Sequence, residues 1–443
     1  MIKKTKYLII GAGLTGLTAA YFLADDYLIV EREDAVGGLV RTDARGDFLF
    51  DYTGHWLHIR NEYIKNFIED ILDTKLLKIK RNSKIYSNGS FTEYPFQSNL
   101  YGLAPEIKQE CLFDFMQAYD NKQKGHAFRG STFMDYIRYH FGQGIAKHFM
   151  IPYNTKVWGV SPGEMTAEWC SRFVPIPRLD EVLDGARGCA TGDTGYNACY
   201  YYPPCGGIGQ IPLALSKKLK NIYLNTPLEK INIRTKTAQV QGFTIAYEHE
   251  INTSPLDCFI QSIETIPAAV RDAGSRLRCT SLDYVNVGIG KPVLDALHWV
   301  YFPERQYPFY RIGVYSNAVA CFAPAGKSAL YVEVVNGSAG SMQRRAVMDA
   351  LYEFLQARGY LTDKADIEFV EHRHIAHAYV LYDFNYSGCM KVLHEFLDAS
   401  GSISIGRYGS WNYSSMEDSM LQALQTARQL KQGGSIAAGN VSL

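Results

Sequence analysis

Three glycines near the start of the chain have the spacing that holds the pyrophosphate of a dinucleotide. Gly11, Gly13 and Gly16 form a G-x-G-x-x-G pattern. The first glycine permits a tight turn, the second lets the backbone approach the phosphates, and the third lets a helix pack against a strand. Glu31 follows twenty residues after Gly11, where its carboxylate can accept hydrogen bonds from ribose hydroxyls. The pattern predicts binding of the ADP half of a dinucleotide.

A second loop indicates which dinucleotide this is. Residues 31–42 read EREDAVGGLVRT, and the paired glycines let another backbone segment approach the phosphates while Arg41 adds a cation. The run resembles the E-R-x-x-x-x-G-G signature of FAD enzymes of the amine-oxidase type. The FAD-binding residues implied by the two loops are Gly11, Gly13, Leu14, Thr15, Gly16, Glu31, Arg32, Gly38, Leu39 and Arg41.

The elements that must position these loops are a strand, a helix and a second strand. Residues 7–10 form a continuous apolar run, typical of a parallel strand covered on both faces. A helix then runs to residue 22, and a second strand spans residues 27–30. Farther along we predict helices at 107–119, 132–149, 342–358 and from a cap at Ser414 onward, and strands at 231–233, 238–240 and 402–405.

Composition and charge exclude several classes of protein. The 443 residues carry 45 basic and 45 acidic side chains, so no global field favours nucleic acid or an anionic membrane. There is no apolar run of about 20 residues that would predict a membrane span, and no signal peptide is indicated. The nine cysteines are scattered without a C-x-x-C pair, which argues against disulfides and zinc and favours a cytoplasmic location.

Histidines offer the other metal-like pattern. His372, His374 and His377 stand close together in the sequence, but alternate spacing on a predicted strand splits them between two faces. We interpret them as structural and predict no metal site.

Several later segments resemble UDP-galactopyranose mutases, with a spacing most like that of the eukaryotic type. They are FDYTGH at 50–55, YPFQ at 94–97, PYNTKVW at 152–158, WVYFPE at 299–304, PFYR at 308–311 and GRYGSWNY at 406–413. The matches follow the family's order over nearly the whole chain. The chain is therefore identified as similar to these mutases, within the FAD-dependent amine-oxidase and protoporphyrinogen-oxidase superfamily.

The resemblance implies a role for each matching residue. Arg172 and Arg311 would hold the substrate diphosphate, because two negative charges removed from bulk water call for about two cations. His55 would lie near N5 of the flavin as the third catalytic residue. The implied substrate-binding residues are Tyr94, Phe96, Gln97, Asn154, Trp158, Trp299, Tyr301, Tyr379 and Tyr413. The implied additional cofactor-binding residues are Gly54, His55, Gly406, Arg407 and Tyr413. Taken singly, an arginine could form a surface ion pair and an aromatic residue could pack in the core.

The implied activity is an isomerisation. The family interconverts the pyranose and furanose forms of a UDP-sugar, here UDP-galactopyranose and UDP-galactofuranose or a close relative, through a covalent flavin N5–sugar adduct. FAD would act in its reduced form, and NADPH or NADH could reduce it, although the sequence contains no second dinucleotide fold. The implied pathway is cell-wall or polysaccharide biosynthesis.

Two departures from the family pattern leave the substrate open. Residues 202–210 read YPPCGGIGQ, where the family reads closer to GGTGGIW, and the surroundings of Tyr379 also differ. A related sugar or another nucleotide therefore stays open. Two other classes of function stay open as well: an FAD-dependent oxidase or dehydrogenase of the amine-oxidase type, and a non-catalytic protein that binds flavin or nucleotide sugars.

The expected fold is α/β, with a discontinuous Rossmann-like FAD-binding domain, a helical insertion and a mixed β-sheet substrate domain. The domain boundaries implied are 1–90, 195–275 and 385–443 for FAD, 101–194 for the helices, and 91–100 with 276–384 for the substrate. The expected partner is a small-molecule nucleotide sugar, without nucleic acid or a membrane span, and assembly into a homo-oligomer is left open.

Overall fold

The computed structural model describes residues 1–189, 198–335 and 341–433. The strands in these ranges are β1 Ile2–Ile10, β2 Tyr27–Val30, β3 Thr42–Arg45, β4 Phe48–Asp51, β5 Leu77–Lys80, β6 Ser83–Ser87, β7 Ser90–Glu93, β8 Cys199–Tyr202, β9 Ile222–Tyr223, β10 Leu228–Asn232, β11 Thr237–Val240, β12 Phe243–Asn252, β13 Leu282–Ile289, β14 Trp299–Tyr301, β15 Arg311–Val314, β16 Ser328–Val335, β17 Ile367–Ile375 and β18 Ile403–Ser404.

The helices in the same ranges are α1 Leu14–Leu23, α2 Glu62–Leu72, α3 Pro105–Gln123, α4 Phe133–Ile145, α5 Ile151–Trp158, α6 Cys170–Phe173, α7 Leu179–Arg187, α8 Gln210–Lys217, α9 Leu256–Ser262, α10 Ala268–Ser275, α11 Tyr315–Ala318, α12 Ser341–Gln356, α13 Tyr386–Ser400, α14 Gly406–Gly409 and α15 Met416–Lys431. No described helix is both long and apolar enough to cross a bilayer.

The first large sheet is centred on β1. Its order is β10-β11-β12-β1-β2-β9, and β18 pairs with β12. β1 runs parallel to both β2 and β12, and its apolar residues alternate between two cores. Ile9 faces a core that includes α1 and α15, and Leu8 faces one that includes α9 and α13. This explains the continuous apolar run, and it confirms the predicted α/β fold with a Rossmann-like nucleotide-binding unit.

The second large sheet is mixed, as expected. Its order is β17-β13-β16-β15-β14-β6-β7, antiparallel except for the parallel β14–β6 pair. One face packs against the apolar side of α12, through Leu351 and Phe354 among others. Because β6 belongs to this sheet, the chain enters it at Ser83, before the predicted boundary at residue 90. The domain boundaries themselves stay a prediction.

Two predicted helix features need correction. The helix capped by Thr132, whose capping box with Asp135 is present, does not run unbroken to residue 149. Gly142 has a φ of 75°, and the helix continues after Ile145 as a wider turn, Ala146–Met150, before α5. The last helix is capped by Ser415, one residue later than predicted, because the Ser415 hydroxyl accepts a hydrogen bond from the backbone N–H of Asp418 at 3.1 Å.

Candidate functional site

The first glycine turn leaves no room for side chains at two of its glycines. Gly11 has a φ of 101°, a conformation that residues with a Cβ rarely adopt. A Cβ on Gly16 would lie 2.0 Å from the carbonyl oxygen of Gly11. The turn is tied to β2 because the N–H of Gly11 donates to Val30 O at 2.8 Å. α1 then begins at Leu14, followed by Thr15, as predicted, with its first N–H groups available to an anion.

The second glycine loop lies against the first. The N–H of Gly37 donates to Ala12 O at 2.8 Å, and a Cβ on Gly38 would lie 3.3 Å from the Cα of Gly13. Glu31 connects both loops, since its buried carboxylate accepts from the N–H of Ala12 at 2.7 Å. Two backbone segments therefore meet as a narrow cradle without side chains between them. Glu31 holds the cradle together in addition to any ribose contact.

The other cofactor residues predicted on this loop lie at its edge. Arg32 is exposed and pairs with Glu33 at 3.0 Å. Arg41 is mostly buried, and its Nη2 lies 3.7 Å from Asp34 Oδ1. Leu39 packs in a small apolar cluster. The geometry is compatible with a role for Arg41 near phosphates, whereas Arg32 offers its charge at the protein surface.

A third segment, residues 406–414, closes the cradle. A Cβ on Gly406 would lie 2.4 Å from Thr15 Oγ1, so this segment sits directly on the start of α1. Arg407 Nη1 donates to Ser414 O at 2.7 Å. The buried Oδ1 of Asn412 and Oγ of Ser414 have no hydrogen-bond partner among the described residues. Bare backbone, an open helix start and unused polar atoms are what a dinucleotide requires, so the residues present fit such a group.

The loop after β4 is anchored by a buried carboxylate. Asp51 accepts hydrogen bonds from Thr42 Oγ1 at 2.6 Å, from the Tyr202 hydroxyl and from the N–H of Ile208 at 3.3 Å. Burial raises the pKa of Asp51 to about 7 despite these donors. The Tyr315 hydroxyl is shared between two carbonyl oxygens of the loop, Asp51 O at 3.1 Å and Thr53 O at 2.9 Å. The loop is thus held from three directions.

His55 lies at the tip of this anchored loop. The preceding residue must be glycine, because a Cβ on Gly54 would lie 2.3 Å from the Tyr331 hydroxyl oxygen. Burial lowers the pKa of His55 to about 4, and the charges of Arg407 and Arg311 act in the same direction. The imidazole is therefore neutral at pH 7 and faces a positively charged neighbourhood.

One face of the second sheet carries a buried cluster of charged and aromatic side chains beside His55, which we take as the candidate substrate pocket. Arg311 on β15 is directly opposite both Tyr301 on β14 and Glu333 on β16. Arg311 Nη2 lies 2.7 Å from Glu333 Oε1, and a second contact joins Nε to the other carboxylate oxygen. Glu333 is fully buried. The resemblance implied that Arg311 holds the substrate diphosphate, whereas the structure pairs it with Glu333, an acid that no local pattern indicated.

Tyrosines surround this ion pair. The rings of Tyr94 and Tyr301 are 5.0 Å apart, and those of Tyr379 and Tyr413 are 6.1 Å apart and stacked. The guanidinium carbon of Arg407 lies 4.7 Å from the ring centre of Tyr413. Burial raises the pKa of Tyr379 to about 12, with the charge of Arg311 opposing the increase. The Tyr379 hydroxyl is therefore a hydrogen-bond donor at neutral pH.

Trp299 also belongs to this cluster of side chains. It lies two positions before Tyr301 on β14, so the two side chains point to the same face of the sheet. Trp299 is buried against Trp56, and the two rings are stacked with their centres 5.8 Å apart. The structure therefore brings together most of the predicted site, on two sides of one pocket. These residues are His55, Tyr94, Trp299, Tyr301, Arg311, Tyr379, Arg407 and Tyr413.

Other predicted residues lie at the rim or in the core. Arg172 is exposed, with its guanidinium carbon 5.2 Å from the ring centre of Phe173, and Phe173 packs edge-on against Tyr413. Phe96 is fully buried and stacks on Phe149 at 4.9 Å, and its neighbour Gln97 is buried as well. This burial favours a packing role for Phe96 over a contact with the nucleotide.

The α5 residues predicted to bind substrate are already engaged with each other. The side-chain amide of Asn154 donates to Met150 O at 2.7 Å and accepts from Trp158 Nε1 at 3.3 Å. Trp158 lies behind the pocket, with its ring 5.8 Å from that of Tyr379. Their contact with a nucleotide stays a prediction.

Sequence reasoning missed Arg81 and Tyr153. The guanidinium carbon of Arg81 lies 4.7 Å from the ring centre of Tyr94, at the same pocket. Tyr153 continues the aromatic stack from Phe149 and packs edge-on against Tyr301 at 5.4 Å. Tyr153 stood inside a matched segment and could have been named. Arg81 follows a short run of surface lysines and carries no signal of its own.

Comparisons with known proteins agree with this geometry. Residues 9–71 match the family model described as an NAD(P)-binding Rossmann-like domain. The chain is 25% identical over 173 residues to "Probable UDP-galactopyranose mutase" of Klebsiella pneumoniae, covering 38% of this chain and 44% of that protein. It is 26% identical over 245 residues to "Probable flavin-containing monoamine oxidase A" of Dictyostelium discoideum, covering 50% of each. The matches thus span about half the length of these curated relatives.

Solved structures extend the likeness to the whole chain. A crystal structure of reduced UDP-galactopyranose mutase superposes with a TM-score of 0.90 at 25% identity, covering 99% of this chain and 98% of that one. A putrescine oxidase bound to putrescine superposes with a TM-score of 0.66 at 14% identity, covering 98% of this chain and all of that one, which shows a shared fold alone. The resemblance predicted from the sequence is confirmed.

Proposed function

From the likeness to UDP-galactopyranose mutases, we propose that the chain is a flavin-dependent nucleotide-sugar mutase of the FAD-dependent amine-oxidase superfamily. The proposed substrate is UDP-galactopyranose or a closely related UDP-sugar, converted to its furanose form. NADPH or NADH is the proposed reductant. Action in the cytoplasm, in cell-wall or polysaccharide biosynthesis, is part of the same proposal.

The observation that carries the proposal is the convergence of cations and phenols beside the loop of His55. Arg311 and Arg407 both act electrostatically on the imidazole. Arg407 forms no ion pair with a carboxylate in the part of the chain that the structure describes; its guanidinium donates to backbone carbonyls instead. A diphosphate needs positive charge and several hydroxyl donors, and arginine matches its geometry. Four tyrosines supply the hydroxyls, namely Tyr94, Tyr301, Tyr379 and Tyr413.

The cofactor proposed for the cradle is FAD, held at its ADP end by the two glycine loops and by residues 406–414. When bound and reduced, it would supply a nucleophilic nitrogen for attack on the anomeric carbon of the sugar. His55 would face the ring system as a neutral hydrogen-bonding group, because burial lowers its pKa to about 4. It would bring no positive charge of its own to the reacting centre.

The chain's own contribution would be to bind and orient the substrate. Arg311 and Arg407 would keep the diphosphate close to the sugar, so that departure and return of the UDP occur within one complex. Because burial keeps Tyr379 protonated far above neutral pH, its hydroxyl would donate to the phosphate oxygens. Trp299 and its neighbour Trp56 would exclude water from the apolar face of the pocket.

Amine oxidation is the alternative that the Dictyostelium relative and the putrescine oxidase fold would suggest. An amine substrate is a cation at neutral pH, and the charges of Arg311 and Arg407 would repel it. Glu333 offsets one of these charges but is already engaged by Arg311 through two contacts. The electrostatics of the pocket thus favour an anionic substrate.

The decisive assay uses the purified protein reduced with dithionite. Incubation with UDP-galactopyranose should yield UDP-galactofuranose, detected by anion-exchange chromatography, while the oxidised protein should yield none. If no UDP-sugar gives a furanose and an amine such as putrescine causes oxygen consumption, the protein is an oxidase. If UDP binds but nothing is converted or oxidised, it is a binding protein.

The substrate site is tested by replacing the whole ion pair rather than Arg311 alone. Arg311→Met with Glu333→Gln removes the cation without leaving a buried carboxylate unpaired. We expect UDP binding, measured by calorimetry, to weaken at least about tenfold, with the flavin spectrum retained. The matched control is Lys327→Met with Glu368→Gln, a surface pair at 2.7 Å. Equal UDP affinity in both double variants would show that the diphosphate binds elsewhere.

A further inference from the structure

Three side chains of different chemistry meet outside the pocket, where α9 contacts the segment between β17 and α13. Asp257 and Cys258 lie in the first turn of α9, and His377 follows β17. A carboxylate oxygen, the thiol sulfur and an imidazole nitrogen all lie within 4.8 Å of one another. His377 Nε2 is 3.1 Å from Asp257 Oδ2. Asp257 and His377 are partly buried, whereas Cys258 is exposed, so the cluster opens to solvent.

We propose that Asp257, Cys258 and His377 bind a divalent cation of the zinc type. Thiolate, imidazole and carboxylate are the three ligand classes that zinc takes in proteins, and small movements would bring all three to bonding distance. Three protein ligands leave a fourth position for water. The sequence predicted no metal because His377 lies 119 positions after Cys258, with no short spacing to connect it to Asp257 and Cys258.

An ion pair alone would not account for the thiol. Asp257 and His377 satisfy each other, and the backbone N–H of Cys258 already donates to Asp257 Oδ1 at 2.8 Å. The Cys258 side chain nevertheless turns its sulfur toward both partners. A second thiol stands nearby, since Cys279 Sγ lies 3.9 Å from Ala376 O, the residue before His377. A second thiol thus lies beside the backbone that carries His377.

A bound cation would join two segments that support the cofactor cradle. α9 begins three positions after Thr253, whose hydroxyl donates to Ile10 O at 2.8 Å beside the first glycine turn. His377 precedes Ala378, whose carbonyl oxygen accepts from Arg407 Nη2 at 3.2 Å and from the Tyr408 hydroxyl at 3.1 Å. The ion would therefore fix the start of the cradle to its closing segment. This proposal is independent of the proposed function.

The test is titration of the chelator-treated protein with Co²⁺, whose thiolate complexes absorb in the red, beyond the absorption of oxidised flavin. We expect one equivalent of Co²⁺ to bind, and Zn²⁺ to displace it. Cys258→Ser and His377→Gln should weaken binding more than about tenfold. Cys189→Ser, at an exposed thiol at the end of α7, should bind like the unaltered protein.

Thermal unfolding supplies a second readout that does not depend on the thiol absorption. Zn²⁺ should raise the midpoint of the unaltered protein and of Cys189→Ser, and should raise that of Cys258→Ser less. Because Cys258 is exposed, its replacement by serine leaves the fold intact and keeps the comparison valid. Absence of stoichiometric Co²⁺ binding, or equal binding by Cys258→Ser, would overturn the proposal and leave the Asp257–His377 ion pair alone.

Discussion

The cofactor cradle and the substrate pocket are built on opposite principles. The cradle consists of backbone: two glycine loops meet so closely that a Cβ on Gly38 would lie 3.3 Å from the Cα of Gly13. The pocket consists of long side chains, with Arg311 joined to Glu333 across neighbouring strands and ringed by tyrosines. A backbone site tolerates no added atom, whereas a side-chain site is sensitive to the loss of a partner. The cradle should therefore be disrupted by an added side chain, and the pocket by the removal of one.

The largest effect is expected from adding one methyl group to the cradle. In Gly16→Ala the new Cβ would lie 2.0 Å from a backbone carbonyl oxygen, so the turn must open. We expect a loss of about 3 kcal/mol in the free energy of unfolding and purification without yellow cofactor, measured by denaturation and absorbance. Gly388→Ala is the control, because a Cβ there meets nothing within 4 Å. Normal cofactor content in Gly16→Ala would contradict the backbone account.

Removing a partner in the pocket should have the next largest effect. Glu333→Gln leaves the buried Arg311 without a counter-charge, which should lower the free energy of unfolding by about 3 kcal/mol. UDP should restore more stability to this variant than to the unaltered protein, because the diphosphate no longer competes with Glu333. Differential scanning fluorimetry with and without UDP measures this. Glu368→Gln, at an exposed pair, is the control; an equal UDP-induced shift in both variants would contradict the expectation.

A smaller effect is expected at the edge of the pocket. Arg81→Met removes the cation that lies 4.7 Å from the ring centre of Tyr94, and we expect UDP affinity to fall up to about tenfold, or about 1.4 kcal/mol. Isothermal calorimetry at two salt concentrations would show the lost charge as a weaker salt dependence. Lys78→Met on the exposed strand before it should bind normally. Unchanged affinity in Arg81→Met would place the nucleotide away from Tyr94.

The smallest effect is a change in pH dependence. Burial lowers the pKa of four histidines to about 4, namely His55, His58, His140 and His298. The unfolded chain takes up protons below about pH 6.5 while the folded chain does not. The stability that these neutral histidines contribute is therefore fully present above pH 6.5 and is lost as the pH falls toward 4.

Replacing one of these histidines should flatten that curve. In His140→Phe, the free energy of unfolding should depend less steeply on pH between pH 7 and 4.5. The difference in slope should correspond to up to about one proton taken up on unfolding. His126→Phe, at an exposed histidine, should keep the original slope. A steeper curve in His140→Phe would mean that His140 gains a proton on folding instead.

The contrast also explains what the sequence could predict. The two glycine loops of the cradle are local: their glycines fall within residues 11–38, and each glycine has a backbone reason to be there. Its geometry was therefore predictable almost residue by residue. The fold class followed from the apolar run of β1, which is buried on both faces.

The residues of the pocket were predicted from the resemblance, without their contact partners. Which residues converge was largely anticipated, but the partners were not: Glu333 contacts Arg311, Arg81 contacts Tyr94 and Phe149 contacts Phe96, each from 13 or more positions away in the sequence. Such pairings depend on strand register, which no local pattern carries. For the same reason the packing of Asn154 against Trp158 could not be separated from ligand binding beforehand.

The pairing of β18 with β12 has a consequence for biosynthesis. β18 and Gly406, the glycine that covers Thr15, come more than 360 positions after the two glycine loops, and α15 packs on α1. The amino-terminal loops emerge from the ribosome long before the segment that covers them. The cofactor can therefore be captured in full only after this late segment has been synthesised, and nascent chains stalled before β18 should be colourless.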